Sequence, residues 1–184
     1  MDGEVSQNQS KLRKLTAQAL LSMYAEGQQD FQKIDLTAVD LFEANLEGIN
    51  LQDSNLTKIY MPYANLSNAN LSNTAIAEAE LGDTQLARVK LSTANLQGSN
   101  LSRANLRYAD LQNANLVSVN LQGADLYKAN LTGANLKKAD LSNANLEQAI
   151  LTKANLSGCN LFRAKLADIS DAYCDKTTIN PEGY

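Results

Sequence analysis

The fold class this sequence predicts is an all-β solenoid, and three observations predict it. From residue 36 to residue 166 every fifth position is large and apolar; 25 of those 27 positions are Leu, and Met61 and Ile76 are the others. Two residues before each stands a small or β-branched residue, Ala in 16 of the 27, and one residue before stands Asn or Asp in 20 of the 27. The chain has no Trp, three Phe and seven Tyr in 184 residues. Its core must therefore come from Leu and Ala instead of large aromatic rings.

Three parts are expected within this single-domain length. Residues 1–30 are a disordered start and a capping helix, 31–168 the solenoid, and 169–184 a C-terminal cap or tail. Residues 1–9 are polar and aperiodic, as disordered termini are. Ser10 is placed to cap a helix over 11–26. There Leu12, Leu15, Ala19, Leu20, Met23 and Tyr24 recur at three- and four-residue spacing, which makes one apolar face. Gly27 is its stop. Its expected role is to cover the open end of the stack that follows, because repeat stacks need capped ends. Lys11, Arg13 and Lys14 precede an apolar run, yet Asp2 and Glu4 lie ahead of them and Gln18 and Ser22 interrupt it. It does not read as a signal peptide. A cytoplasmic location with reduced thiols is the expectation, and no apolar run approaches the roughly 18 residues of a membrane span.

The five-residue period excludes the two long regular elements. On a helix successive Leu residues would sit about 140° apart. On a continuous strand an odd period alternates faces. A chain that bends once per repeat satisfies both constraints. The small residue and the Leu, two apart, point inward on a short extended side, and the Asn or Asp between them points outward. The next two residues make the corner. The second corner residue is Gly at 48, 98, 123, 133 and 158 and Asn at 68, 73, 113 and 143, the types that best tolerate positive φ. The outward Asn ladders are expected to hydrogen-bond backbone between coils and at corners.

The runs Ala104-Asn105-Leu106-Arg107-Tyr108 and Ala109-Asp110-Leu111-Gln112-Asn113 resemble the A(D/N)LXX motif of the pentapeptide repeat family, and such runs cover about three-quarters of the chain. The resemblance implies a right-handed quadrilateral β-helix with four repeats per coil. That gives nearly seven coils and a rod about 30 Å long. The lead-in at 20–31 and the ending at 172–184 also resemble those of the family. The lead-in is similar to proteins abundant in cyanobacteria, many without an assigned role. Before the ending the register slips: Leu166 calls for an apolar residue at 171, Asp171 stands there, and Cys174 takes the inward place.

Two zones depart from the motif. Ala75, Glu80, Gln85 and Lys90 replace Asn or Asp four times running, with Thr74, Thr84 and Val89 in place of Ala. This is expected to be a tolerated irregular coil, the alternative being a bulge shaped for a partner. In Tyr60-Met61-Pro62-Tyr63, Pro62 falls at a corner, where a missing N–H is tolerated.

Composition argues against catalysis. There is no His, hence none of the commonest general base or metal ligand. No glycine-rich phosphate loop or paired carboxylate arrangement stands out, and no cofactor is expected. Cys159 and Cys174 are too few for a disulfide framework and read as buried small residues. A binding surface is the realistic site. Between 31 and 90 eight acids face four bases; between 91 and 166 the ratio reverses. Some family members imitate DNA and inhibit type II topoisomerases, which asks for a strongly acidic surface. A neutral, dipolar rod suits that poorly, so DNA mimicry ranks second. Nucleic acid is not expected as a partner, nor is a membrane. The leading expectation is a non-enzymatic scaffold that binds a protein partner, monomeric or weakly dimeric. At four repeats per coil, Arg88, Arg107, Tyr108, Tyr127 and Lys128 gather on one face as interface anchors, and Phe42, Pro62 and Tyr63 form an exposed apolar spot on another.

Overall fold

The protein is described by a computed structural model covering residues 12–165 and 168–183. Its organising feature is a twenty-residue register. From 30 to 145 each Asn/Asp position forms a parallel bridge to the position twenty residues on, as in Asp35 to Asn55, Asn95 to Asn115 and Asn115 to Asn135. Four five-residue repeats therefore close one coil, and each coil lies on the next.

The repeat at 109–113 shows how a coil satisfies its backbone donors. Ala109 N donates to Leu106 O at 3.0 Å and closes the preceding corner. Asp110 N donates to Val89 O in the coil before, while Leu111 N and Asn113 N donate to Asn130 O and Thr132 O in the coil after. The fifth donor, Gln112 N, finds no backbone acceptor and donates to Asp110 Oδ1 at 3.1 Å. All five N–H groups are thus accounted for, which explains the motif's Asn or Asp: its side-chain oxygen serves the one amide that the coils leave over. Thr37 N and Oγ1 both donate to Asp35 in this way, and these bonds hold the Asp35 carboxyl below its ordinary pKa. Where Tyr60 replaces the acceptor, the residue due to donate is Pro62, which has no N–H. The two irregularities cancel.

The outward amides also bond one another. Asn115 Nδ2 donates to Asn95 Oδ1 at 2.8 Å, and Asn120 donates to Asn100, which donates to Glu80. Inside, the Leu column is buried at every described position, with Leu96, Leu106 and Leu126 each at most 1 % exposed. Polar residues in the inward small position borrow a carbonyl: Ser99 Oγ donates to Ile76 O at 2.6 Å and accepts from Ala79 N.

Every second corner residue from 33 to 163 has positive φ, and 22 of these 27 are not glycine. The expectation that Gly and Asn mark the corners was therefore too narrow. The stacked coils impose the left-handed conformation on Lys, Glu, Arg, Tyr and Thr alike, against a local preference of about 1–2 kcal/mol per residue. The irregular coil keeps its register: Ala75 bridges Asn55 and Asn95, Glu80 bridges Tyr60 and Asn100, and no bulge interrupts it. Thr74 and Thr84 donate their hydroxyls to Leu71 O and Leu81 O.

The ends differ from expectation. The helix α1 spans Ala17–Ala25 and its N-cap is Thr16, whose hydroxyl accepts from Ala19 N. Ahead of it β1 (Arg13–Lys14) pairs in parallel with β2 (Ile34–Asp35). A helix beginning at 11 is thus corrected: residues 13–14 add a strand to the first coil, whose edge amides and carbonyls are otherwise open. The expected cap Ser10, the disordered start at 1–9 and the inward Leu166 lie outside the described residues. On α1, Leu20 is fully buried, Ala17, Met23 and Tyr24 pack on the core, and Tyr24 Oη donates to Glu47 O. Gly27 follows at φ 96°.

At the other end the register slips as anticipated. Tyr173 bridges Asn155 and Ile179 bridges Asn160. This puts Cys174 in the inward column beside Leu156, but Cys174 is exposed. The reading of Cys174 as a buried residue is therefore corrected: no further coil among the described residues covers it. Cys159 is buried as expected, its Sγ 2.8 Å from Leu136 O, and desolvation pushes its pKa up to about 12.

Candidate interaction surface

The five residues Arg88, Arg107, Tyr108, Tyr127 and Lys128 come together, on a corner ridge and not a flat side. Each occupies the first or second corner place of its repeat, and spacings of 19 to 21 residues put them on successive coils. The Tyr108 and Tyr127 rings meet edge to face at 5.9 Å. Arg107 lies 4.3 Å over Tyr127, Lys128 5.3 Å from the same ring, and Arg88 5.8 Å from Tyr108. Positive φ at 88, 108 and 128 turns those three side chains outward at the corner. Arg107 also donates to Asp125 Oδ2 at 2.8 Å, which fixes the guanidinium and raises its pKa. Arg88 and Lys128 make no ion pair among the described residues. The ridge is thus a preformed aromatic pair with cations on its faces, a pattern that desolvation on binding strengthens.

Phe42, Pro62 and Tyr63 also meet. Phe42 and Tyr63 pack edge to face at 5.9 Å and stand 48 % and 56 % exposed; Pro62 is half-buried. The site residues expected from sequence omit Tyr60, whose ring stacks with Phe42 at 6.3 Å and which is itself exposed. Its signal was present: an aromatic in an outward Asn/Asp position has nowhere to go but the surface. Also missed was the bidentate pair of Arg103 with Asp83, at 2.8 and 2.6 Å, which holds the Asp83 carboxyl low. Twenty-residue spacing is what joins them.

A cleft of about 190 Å³ lies near the C-terminal end, lined by Ala149, Ile150, Leu151, Thr152, Asp168, Ser170 and Asp171. Asp168 accepts from Ser170 N, and hydrogen bonds from the Ser170 backbone and side chain hold its carboxyl below the ordinary value.

Twenty-residue register, buried Leu columns and corner-borne side chains define a solenoid repeat protein whose variable chemistry sits outside. The family model for pentapeptide repeats matches residues 27–58, 64–103, 94–133 and 129–168, in 8 copies. This chain belongs to the pentapeptide repeat family, and the right-handed quadrilateral β-helix is the architecture that membership implies. Similar solved structures include HetL, a pentapeptide repeat protein involved in heterocyst differentiation regulation from Nostoc sp. strain PCC 7120. It is 24% identical, with 92% of this chain and 99% of that one covered and a TM-score of 0.39. Rfr23 from Cyanothece 51142 is 27% identical over 89% and 99%, with a TM-score of 0.32. QnrB1, a plasmid-mediated fluoroquinolone resistance protein, is 18% identical over 80% of each chain, with a TM-score of 0.37. No curated protein matches the chain.

Proposed function

We propose that this protein is a non-enzymatic interaction module, a cytoplasmic scaffold of nearly seven coils, closed at its N-terminal end by α1, that presents a rigid surface to a protein partner. The observation that carries this reading is the ridge. It puts two tyrosines and three cations on adjacent coils, with Arg107 pinned by Asp125. Arg and Tyr held rigid before contact lose little conformational freedom on binding, which is what interface anchors need. Neither nucleic acid nor a membrane suits a chain of net charge -4 with a sparse basic half. Arg107→Ala together with Tyr127→Ala should weaken capture of the partner from native lysate and leave the melting temperature nearly unchanged, since both are corner residues outside the core. Capture that survives the double substitution removes the ridge as the site.

The competing reading, topoisomerase inhibition by DNA mimicry, needs an acidic rod. Here the acids of 31–90 are offset by the bases of 91–166, so no inhibition is expected in a gyrase supercoiling assay at micromolar protein. Inhibition there would reverse the order of the two readings.

A further inference from the structure

On the ridge, Arg107 lies 4.3 Å over the Tyr127 ring and donates to Asp125 Oδ2 at 2.8 Å. A flat cation thus meets an aromatic face and a carboxylate together, the two contacts that suit a guanidinium. A second place on the rod has exposed rings and carboxylates but lacks the cation.

That place spans one side of the rod and the corner that follows it. Asp40, Tyr60 and Glu80 stack on the side, one per coil, with Tyr60 bridged to both. Phe42, Glu43, Pro62 and Tyr63 make the corner. Tyr60 lies nearly parallel to Phe42, and Tyr63 packs on Phe42 edge to face. No Arg or Lys among the described residues lies over any of these three rings. Two ion pairs border the patch, Lys58 with Glu78 at the corner before the side and Arg103 with Asp83 at the corner after it. Asp40, Glu43 and Glu80 are exposed and make no ion pair among the described residues. Asp40 accepts from Phe42 N and Glu80 from Asn100 Nδ2, neutral donors that leave each carboxylate its charge. The next side carries the uncharged Asn45, Asn65 and Gln85. The exposed aromatic patch therefore stands among three carboxylates that no cation offsets.

We propose that this patch docks an arginine-bearing basic segment of a protein partner. Asp40 and Glu80 lie two coils apart, roughly 10 Å at about 4.8 Å per coil. One guanidinium cannot serve both. Two arginines on the same face of an extended segment, about 7 Å apart, reach both. One stacks on Phe42 between Asp40 and Glu43, and the other stacks on Tyr60 and forks to Glu80. Arginine is favoured over lysine because an ammonium offers no flat face to a ring and no fork to a carboxylate. Desolvation of the rings under the segment strengthens each contact. The patch shares no residue with the ridge, so this contact goes beyond the ridge reading and stands or falls apart from it.

The test is fluorescence anisotropy of a labelled hexa-arginine peptide titrated with the full chain at physiological salt. Asp40→Asn, Glu43→Gln and Glu80→Gln together should weaken binding at least roughly tenfold. These replacements suit the fold: Asn is the motif residue on the sides, Gln85 stands on a side, and Gln148 stands at a corner with the same positive φ. Removing three carboxylates elsewhere, by Asp53→Asn, Asp110→Asn and Glu147→Gln, changes the net charge equally and should leave binding within about twofold. Phe42→Gln with Tyr63→Asn keeps every charge and uses the residue types of the corner at 112–113; it should still weaken binding about threefold or more. Hexalysine should bind more weakly than hexa-arginine, and melting curves check that each variant folds. Four results overturn the proposal: no binding of hexa-arginine at millimolar protein, a charge control that loses as much as the patch variant, an aromatic variant that binds like the unsubstituted chain, or hexalysine bound as tightly as hexa-arginine. Each leaves the ridge reading standing, since capture through Arg107 and Tyr127 is measured separately.

Discussion

Ala134→Asp is expected to destabilise the protein by upward of roughly 3–5 kcal/mol, the range for an uncompensated buried charge. Ala134 is fully buried in the inward small position. Its neighbours in that column, Ala114 and Ala154, are equally enclosed, and no inward cation is available to pair with a carboxylate. The comparison is Ala134→Ser, which should cost little. At Ser54 and Ser99 a hydroxyl in the same position bonds a carbonyl of the coil before, Phe31 O and Ile76 O. The charged variant also has a pH signature. A carboxyl forced into this core has its folded-state pKa raised above the unfolded value of about 3.9, so its penalty is full at neutral pH and shrinks as pH falls towards that value. Urea denaturation at pH 7 and at mildly acidic pH should therefore show the deficit against the unsubstituted chain narrowing on acidification. A deficit independent of pH would mean that the side chain escapes to solvent by distorting the corner.

Leu106→Ala should cost about 2–5 kcal/mol, towards the upper end of that range. The range is wide because the cost depends on how far a site collapses around the cavity. Here collapse is resisted from both sides. Leu106 N donates to Asp125 O at 2.8 Å, and its neighbour Asn105 N donates to Thr84 O at 3.0 Å, which ties the side to the coils below and above. The Leu86 and Leu126 side chains that stack on it are held by the same ladder. Thermal or urea unfolding measures the loss, and a value under about 1 kcal/mol would contradict so rigid a stack.

What could be read in the sequence follows from what repeats. The inward Leu and Ala columns, the outward Asn and the corner positions come from spacing, because periodic chains turn residue number into position; the gathering of Arg107 with Tyr127 needed in addition the four repeats per coil that the family resemblance implies. Three kinds of feature escaped. The first is partnership within a column: that Arg103 grips Asp83 while Arg88 makes no ion pair among the described residues and lies over Tyr108 instead depends on side-chain reach and rotamer, which spacing does not specify. The second is the ends. Cys174 stands in the inward register and is exposed all the same, because burial in a stack comes from the next coil, and helix α1 starts at Ala17 because a strand takes the residues before it. The third is backbone strain. Composition suggested that corners need Gly or Asn, yet Thr93 and Tyr108 adopt the same positive φ. Several interlocking hydrogen bonds per repeat outweigh each local preference.

The twenty-residue register makes azimuth a counted quantity. Between residues 30 and 165 a residue's side of the rod is fixed by the remainder when its number is divided by twenty, so length changes there act in discrete steps. Inserting twenty residues between Tyr63 and Arg88 would lengthen the rod by one coil, about 4.8 Å, and leave both patches on the corners they now hold. Inserting five would keep every inward Leu inward and cost the core nothing in pattern, yet turn the Arg107–Tyr127 ridge by a quarter of a revolution relative to the Phe42–Tyr63 patch. The fold is indifferent to such a change, whereas any surface that spans the two patches is not. Insertions and deletions in units of five are therefore the natural means by which a chain of this kind changes what it can bind while keeping the way it folds.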